Sequence, residues 1–142
     1  MYKIILTSHS HFRYILLLLL VIVFIKSVYS FFRKKNYSKL DNGLNLSLMI
    51  TFHIQLLIGF TLYFISPMVQ FGSETMSNSV LRYWTFEHLL MMLVAVILIT
   101  VNRVGLKHVS EDRNKHRRIM IQTGIVIVFV FGALVMSGRG II

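Results

Sequence analysis

Residues 14–25 read YILLLLLVIVFI, and none of these side chains carries a formal charge. With their flanks they form a mostly apolar segment from about residue 12 to 32, which is long enough to cross the roughly 30 Å hydrocarbon core of a bilayer as a helix. Three further segments have the same character, at about 44–66, 83–102 and 119–136. In lipid only helices and closed barrels satisfy every backbone group, and runs of this length without alternating polarity are not typical of barrel strands. The sequence therefore predicts an all-α fold, a single four-transmembrane-helix bundle over residues 1–142.

The overall composition agrees with a membrane protein. Of the 142 residues, 56% are apolar and 14% are charged, whereas a soluble domain usually carries about 25% charged residues. This balance excludes an ordinary soluble enzyme, a disordered tail and a nucleic-acid-binding module, although the net charge is +10. The chain has no cysteine, which excludes disulfides, thiolate metal sites, iron–sulfur clusters and cysteine nucleophiles.

The basic residues lie mainly on one side of the predicted spans. Eleven of the 15 flank the connection after the first span or the connection after the third: Lys26, Arg33, Lys34, Lys35, Lys39, Arg103, Lys107, Arg113, Lys115, Arg117 and Arg118. The other four are Lys3, Arg13, Arg82 and Arg139. Because basic loops stay in the cytoplasm, we expect both termini outside, in the periplasm, and the chain in a bacterial inner membrane. The basic residues just after the first span predict that this span is retained rather than cleaved as a signal peptide.

Ionisable residues within the spans are the candidates for function, because they are costly in lipid. His53 lies near the middle of the second span, Glu87 and His88 lie in the third, and His9 lies at the outer mouth of the first. Zinc requires three or four converging ligands, but haem requires only one or two neutral imidazoles from facing helices. His53 and His88 are therefore the candidate axial ligands of a haem iron, with His9 as the alternative. A packed, purely structural role for His53 is equally compatible with the pattern.

Other residues near these histidines have secondary candidate roles. Arg13 and Arg82 lie at the outer rim, where they could stabilise haem propionates, and Met91 and Met92 share a helix with His88 and could form the pocket wall. Glu87 is either the partner of a rim arginine or a proton-linked residue.

The depths of the histidines argue against a simple pair. At 1.5 Å per residue, His88 lies about 9 Å below the outer rim and His53 about 20 Å below it, a mismatch of roughly 10 Å. His9 is expected to be offset from His88 by a similar amount in the opposite direction.

Several motifs together resemble one family. They are His9-Ser10-x-x-Arg13-Tyr14, the block from His53-Ile54-Gln55-Leu56-Leu57 to Ser66-Pro67, Leu81-Arg82-Tyr83, Glu87-His88-x-x-Met91-Met92 and Lys115-His116-Arg117-Arg118. With these motifs the chain resembles small four-span bacterial membrane proteins labelled "cytochrome b-like". The resemblance covers almost the whole chain and implies b-type haem and electron transfer, with His9, His53 and His88 as the matching histidines. The family often has proline after the third-span histidine, where this chain has Leu89.

Two functional hypotheses follow from the sequence. The first is a haem b-binding integral membrane protein that transfers electrons, either linked to a quinol or as part of a respiratory complex. The second is a cofactor-free accessory or scaffold subunit of a larger inner-membrane complex, which would contact other membrane subunits or a further copy of itself. The second rests on the short loops and on small residues suited to helix packing, namely Gly59, Ala95, Gly124, Gly132 and Ala133.

Overall fold

The computed structural model describes residues 1–137, and within them it contains four long helices and no strand. They are α1 (Tyr2–Phe32), α2 (Lys39–Ile65), α3 (Ser79–His108) and α4 (Asp112–Met136). Each is long and apolar enough to cross a membrane, which confirms the predicted all-helical class with four membrane-span-like helices. Arg139, which the charge distribution assigns to the outer side, lies outside the described residues.

The helices extend beyond the predicted apolar spans. α1 begins at Tyr2, ten residues before the predicted start, because the polar residues that precede the span include no proline or glycine to end a helix. His9 and Arg13 are therefore helical. At the other end of the bundle α2 begins with a capping box, in which Ser38 and Asp41 each accept a hydrogen bond from the backbone N–H of the other.

α3 is not a regular α-helix throughout. A π-helical turn, Tyr83–Glu87, follows its first four residues and precedes the α-helical segment His88–Gly105. A short 3-10 turn, Leu106–His108, ends the helix.

The four helices form a ring around one core. α1 packs against α2 and α4, and α3 packs against the same two helices, so α1 and α3 are diagonal neighbours. Each helix contributes a fully buried side chain to the centre: Leu20, Leu48, Ala95 and Val126. Large apolar side chains are also exposed along every helix, for example Leu18, Leu57, Ile97 and Val128. An apolar core inside an apolar surface is the pattern expected when the surrounding medium is lipid.

The end of the bundle that carries the α1–α2 and α3–α4 connections is held by polar contacts, and we call it the basic end. Lys26 of α1 forms an ion pair with Asp41 of α2, and Arg103 of α3 donates a hydrogen bond to Asn42 of α2 at 2.7 Å. Between α1 and α2, burial raises the pKa of the Tyr37 hydroxyl. The ion pair and the hydrogen bond join the ends of the helices at the basic end.

Candidate functional site

A cavity of about 140 Å³ lies between the four helices at the end opposite the basic end, and it is partly open to the surroundings. Its walls are mainly apolar, and all four helices contribute to them. The polar lining side chains include His9, Ser10, Arg13, Gln55, Tyr83 and His88. A mainly apolar pocket with a few convergent polar groups is the usual form of a ligand or cofactor site.

The cavity brings two of the candidate histidines together. The ring centroids of His9 and His88 are 6.3 Å apart and the ring planes are inclined by 75°. His9 belongs to α1 and His88 to α3, so the two imidazoles meet across the bundle from diagonal helices. The expected offset in depth between them is wrong, because helix lengths counted from separate rim residues do not fix how far each helix slides past its neighbours.

α2 fixes the position of His9. Gln55 donates a hydrogen bond from Nε2 to the backbone carbonyl of His9 at 3.0 Å. A Cβ atom at Gly59 would lie 3.2 Å from Cε1 of His9, a tight contact for carbon atoms. Glycine at this position therefore allows the imidazole to lie close to the α2 backbone.

The structure places His53 away from this pair, and His53 does not line the cavity. Its Nδ1 donates to the Met49 carbonyl at 2.8 Å, and its Nε2 lies 3.5 Å from the Thr100 hydroxyl. Thr100 follows His88 by twelve residues, or about 18 Å along α3. His53 therefore lies deeper than His88, as the sequence predicts, but the separation along the bundle is well above the predicted mismatch of roughly 10 Å.

The two rim arginines differ in their surroundings. Arg13 lines the cavity, and its Nε is buried with no hydrogen-bond partner within residues 1–137. Arg82 does not line the cavity, because its Nε donates to Glu87 at 2.7 Å and its Nη1 donates to a backbone carbonyl of the α2–α3 connection. The Arg13 guanidinium also donates from Nη2 to the Tyr14 hydroxyl at 3.2 Å, and Arg13 is the one of the two rim arginines that lines the cavity.

Of the remaining candidates, Met92 lines the cavity and Met91 does not. Glu87 is half-buried in its ion pair with Arg82.

Tyr83 was not among the predicted site residues, but its hydroxyl lies 3.3 Å from Nδ1 of His88. Helical periodicity gave no signal for it, because residues five positions apart do not share a face of an α-helix.

The site offers two imidazoles, one guanidinium and an apolar wall. Within residues 1–137 no group of three or more His, Cys, Asp or Glu side chains is arranged to hold a metal ion. Imidazole nitrogen is a donor to transition metals, including haem iron.

No protein-family model, curated protein or solved structure matches the chain.

Proposed function

We propose that the chain binds b-type haem within the bundle, with His9 and His88 as axial ligands, and that it transfers electrons. The observation that carries the proposal is the 6.3 Å separation of the two cavity-lining imidazoles. The proposal keeps the cofactor predicted from the sequence and His88 as one of its ligands. It replaces His53 with the alternative ligand His9.

The separation of the rings fits a shared metal ion. Imidazole nitrogen binds metals at about 2.0–2.1 Å, and the 6.3 Å between the ring centroids would leave room for an ion that both rings could reach. Arg13 supplies a cation in the same cavity for the carboxylates of the porphyrin. When bound, haem would supply one-electron redox chemistry, and this chain would supply ligation, orientation and an apolar environment.

The cavity is small compared with a haem group. Its volume of about 140 Å³ is close to the roughly 150 Å³ of an engineered cavity that holds one benzene molecule. A porphyrin is larger than benzene, so haem binding would require the helices around the cavity to move apart.

The experiment that tests the proposal is an absorption spectrum of the detergent-purified protein from cells with ample haem supply, recorded oxidised and after reduction with dithionite. We expect a pigmented protein whose α-band sharpens on reduction. A colourless protein whose spectrum is unchanged by added haem would contradict the proposal. Co-purification with other membrane subunits in mild detergent would then favour the accessory-subunit hypothesis.

We further propose that the chain lies in the bacterial inner membrane with the basic end in the cytoplasm and the cavity towards the periplasm. The charge asymmetry of the connections supports this orientation.

The absence of cysteine from the chain makes this orientation easy to test with single cysteines. Ser73 and Ser110 are exposed and lie in the α2–α3 and α3–α4 connections. We expect a membrane-impermeant maleimide to label Ser73→Cys in spheroplasts, and to label Ser110→Cys only after the membrane is opened. The reverse pattern would contradict the orientation, and the cysteine-free parent is the control.

A further inference from the structure

The basic end of the bundle carries far more positive than negative charge. Eleven basic side chains lie there with three acidic ones, Asp41, Glu111 and Asp112. Asp41 pairs with Lys26, and the other two carboxylates accept hydrogen bonds from an amide side chain and from a backbone N–H. Most of the positive charge at this end is therefore not balanced by carboxylates within residues 1–137.

Arg113 and Arg117 are two of these cations, and they lie one turn apart on α4. Both are exposed, and neither belongs to an ion pair within the part of the chain that the structure describes. Like charges at this spacing repel each other and destabilise a helix. An anion bound beside both guanidinium groups would remove this cost.

An aromatic ring of α1 positions the first of the two arginines. Cζ of Arg113 lies 4.6 Å from the centroid of the Phe31 ring. A guanidinium that stacks on a ring keeps its N–H groups in its own plane, where they match the oxygen atoms of a phosphate. The contact with Phe31 therefore holds Arg113 at the boundary of α1 and α4 without using its hydrogen-bond donors.

The same face of α4 is apolar further along the helix. At 3.6 residues per turn, Arg113, Arg117, Ile121 and Val128 project within about 80° of one another. Ile121 is 45% exposed and Val128 is 72% exposed, whereas buried residues of α4 such as Val126 project from the opposite side. We call the face formed by these two arginines and two apolar residues the outer face of α4.

We propose that the outer face of α4 binds an acidic phospholipid, with its phosphate at Arg113 and Arg117 and an acyl chain along Ile121 and Val128. The negative headgroup complements the two unbalanced cations. The chain covers apolar side chains that follow the arginines on the same helix. The inference does not rest on the proposed haem function, and it holds for either orientation of the bundle in the membrane.

The test is native mass spectrometry of the full chain in detergent, after detergent exchange has removed the phospholipid that copurifies. The protein is titrated with dioleoyl phosphatidylglycerol or with dioleoyl phosphatidylcholine, which have the same acyl chains but differ in net charge. Each basic side chain near an acidic headgroup contributes roughly fivefold to affinity. We therefore expect the parent protein to bind the first phosphatidylglycerol at least about tenfold more tightly than phosphatidylcholine. Equal binding of the two lipids would overturn the inference without any variant.

A pair of double variants tests the location of the site. Arg113→Gln/Arg117→Gln should bind the two lipids equally, and it is expected to fold because both side chains are exposed and their mutual repulsion is removed. Lys39→Gln/Lys107→Gln is the matched control, because it removes two exposed charges from the same end of the bundle, and it should keep the preference of the parent. Equal losses in the two double variants would overturn the site, since the net charge of the basic end would then account for the binding.

Inorganic phosphate distinguishes a lipid site from a site for phosphate alone. At the same concentration as the lipid, phosphate should leave bound phosphatidylglycerol in place, because it cannot cover Ile121 and Val128. Displacement of the lipid by an equal concentration of phosphate would contradict the assignment to a phospholipid.

Discussion

Replacing His88 with alanine should remove the haem absorption of the purified protein, and replacing His9 should have the same effect. Each substitution deletes one of the two proposed iron ligands and leaves the other imidazole without its counterpart across the cavity. Even groups that only orient a metal ligand contribute about 10–100-fold to affinity, so loss of a ligand should weaken haem binding by at least roughly 100-fold. The measurement is the ratio of haem to protein in the purified variants, with helix content checked by circular dichroism.

Two further histidine variants make this prediction specific. His108 is exposed near the basic end of α3, and His108→Ala should keep the pigment of the parent protein. His53 does not line the cavity, so His53→Ala should also remain pigmented. If His53→Ala is colourless while His9→Ala keeps its pigment, the pair predicted from the sequence is correct and the pair proposed from the geometry is wrong. Recovery of pigment in His88→Ala on addition of free imidazole would confirm that the lost group is a ligand.

Removing the carboxylate of Asp41 should cause the largest loss of stability among substitutions outside the cavity. The Asp41 side chain is 7% exposed and pairs with Lys26, and it also accepts from the backbone N–H and the hydroxyl of Ser38. Asp41→Ala would leave Lys26 without its counter-charge and would remove half of a capping box. The Lys26 side chain is 31% exposed, so its charge keeps part of its hydration, and we expect the lost pair and the lost helix cap together to reduce the free energy of unfolding by about 2 kcal/mol. Reversible unfolding in mixed micelles, followed by circular dichroism, measures this loss.

The ion pair between Arg82 and Glu87 is the matched control. Like the pair of Lys26 and Asp41, it joins a basic side chain to a carboxylate near one end of the bundle. The side chain of Arg82 is 38% exposed and that of Glu87 is 31% exposed. Glu87→Gln should therefore cost no more than about 1 kcal/mol. Asp41→Asn separates the two contributions of Asp41, because the amide oxygen can still accept from Ser38 while the charge opposite Lys26 is lost. Equal losses in Asp41→Ala and Glu87→Gln would show that burial does not strengthen the Asp41 contact.

The four helices could be predicted from the sequence because helix formation in an apolar medium depends on neighbouring residues in the chain. A run such as residues 14–25 can satisfy its backbone groups in an apolar medium as a helix, whichever neighbours it meets. The start of α2 was predicted at about residue 44, whereas the helix begins at Lys39 after a capping box formed by Ser38 and Asp41. The first residue of α1 was predicted at about residue 12, but the helix begins at Tyr2. Residues 2–11 are too polar to count as part of a membrane span, yet they contain no proline or glycine that would end a helix.

The pairing of residues in the candidate site depends on how the helices pack, which involves residues far apart in the sequence. His9, His53 and His88 were identifiable as candidates because an imidazole is costly among apolar side chains. Which two of them meet depends on how far each helix slides and rotates against its neighbours. That choice is distributed over many small packing contacts, and it brings His9 and His88 to 6.3 Å while His53 contacts Thr100.

The amino-acid sequence alone predicts four apolar helices, the distribution of charge between their connections, and a few candidate residues for a cofactor. Each of these follows from the transfer of a side chain or a backbone group between water and lipid, a property of a residue and its near neighbours. That His88 faces His9 and that Tyr83 contacts His88 could be seen only in the folded bundle. Both depend on the π-helical turn of α3 and on the diagonal placement of α1 and α3, which result from packing of the whole bundle and leave no mark in the spacing of residues along the chain.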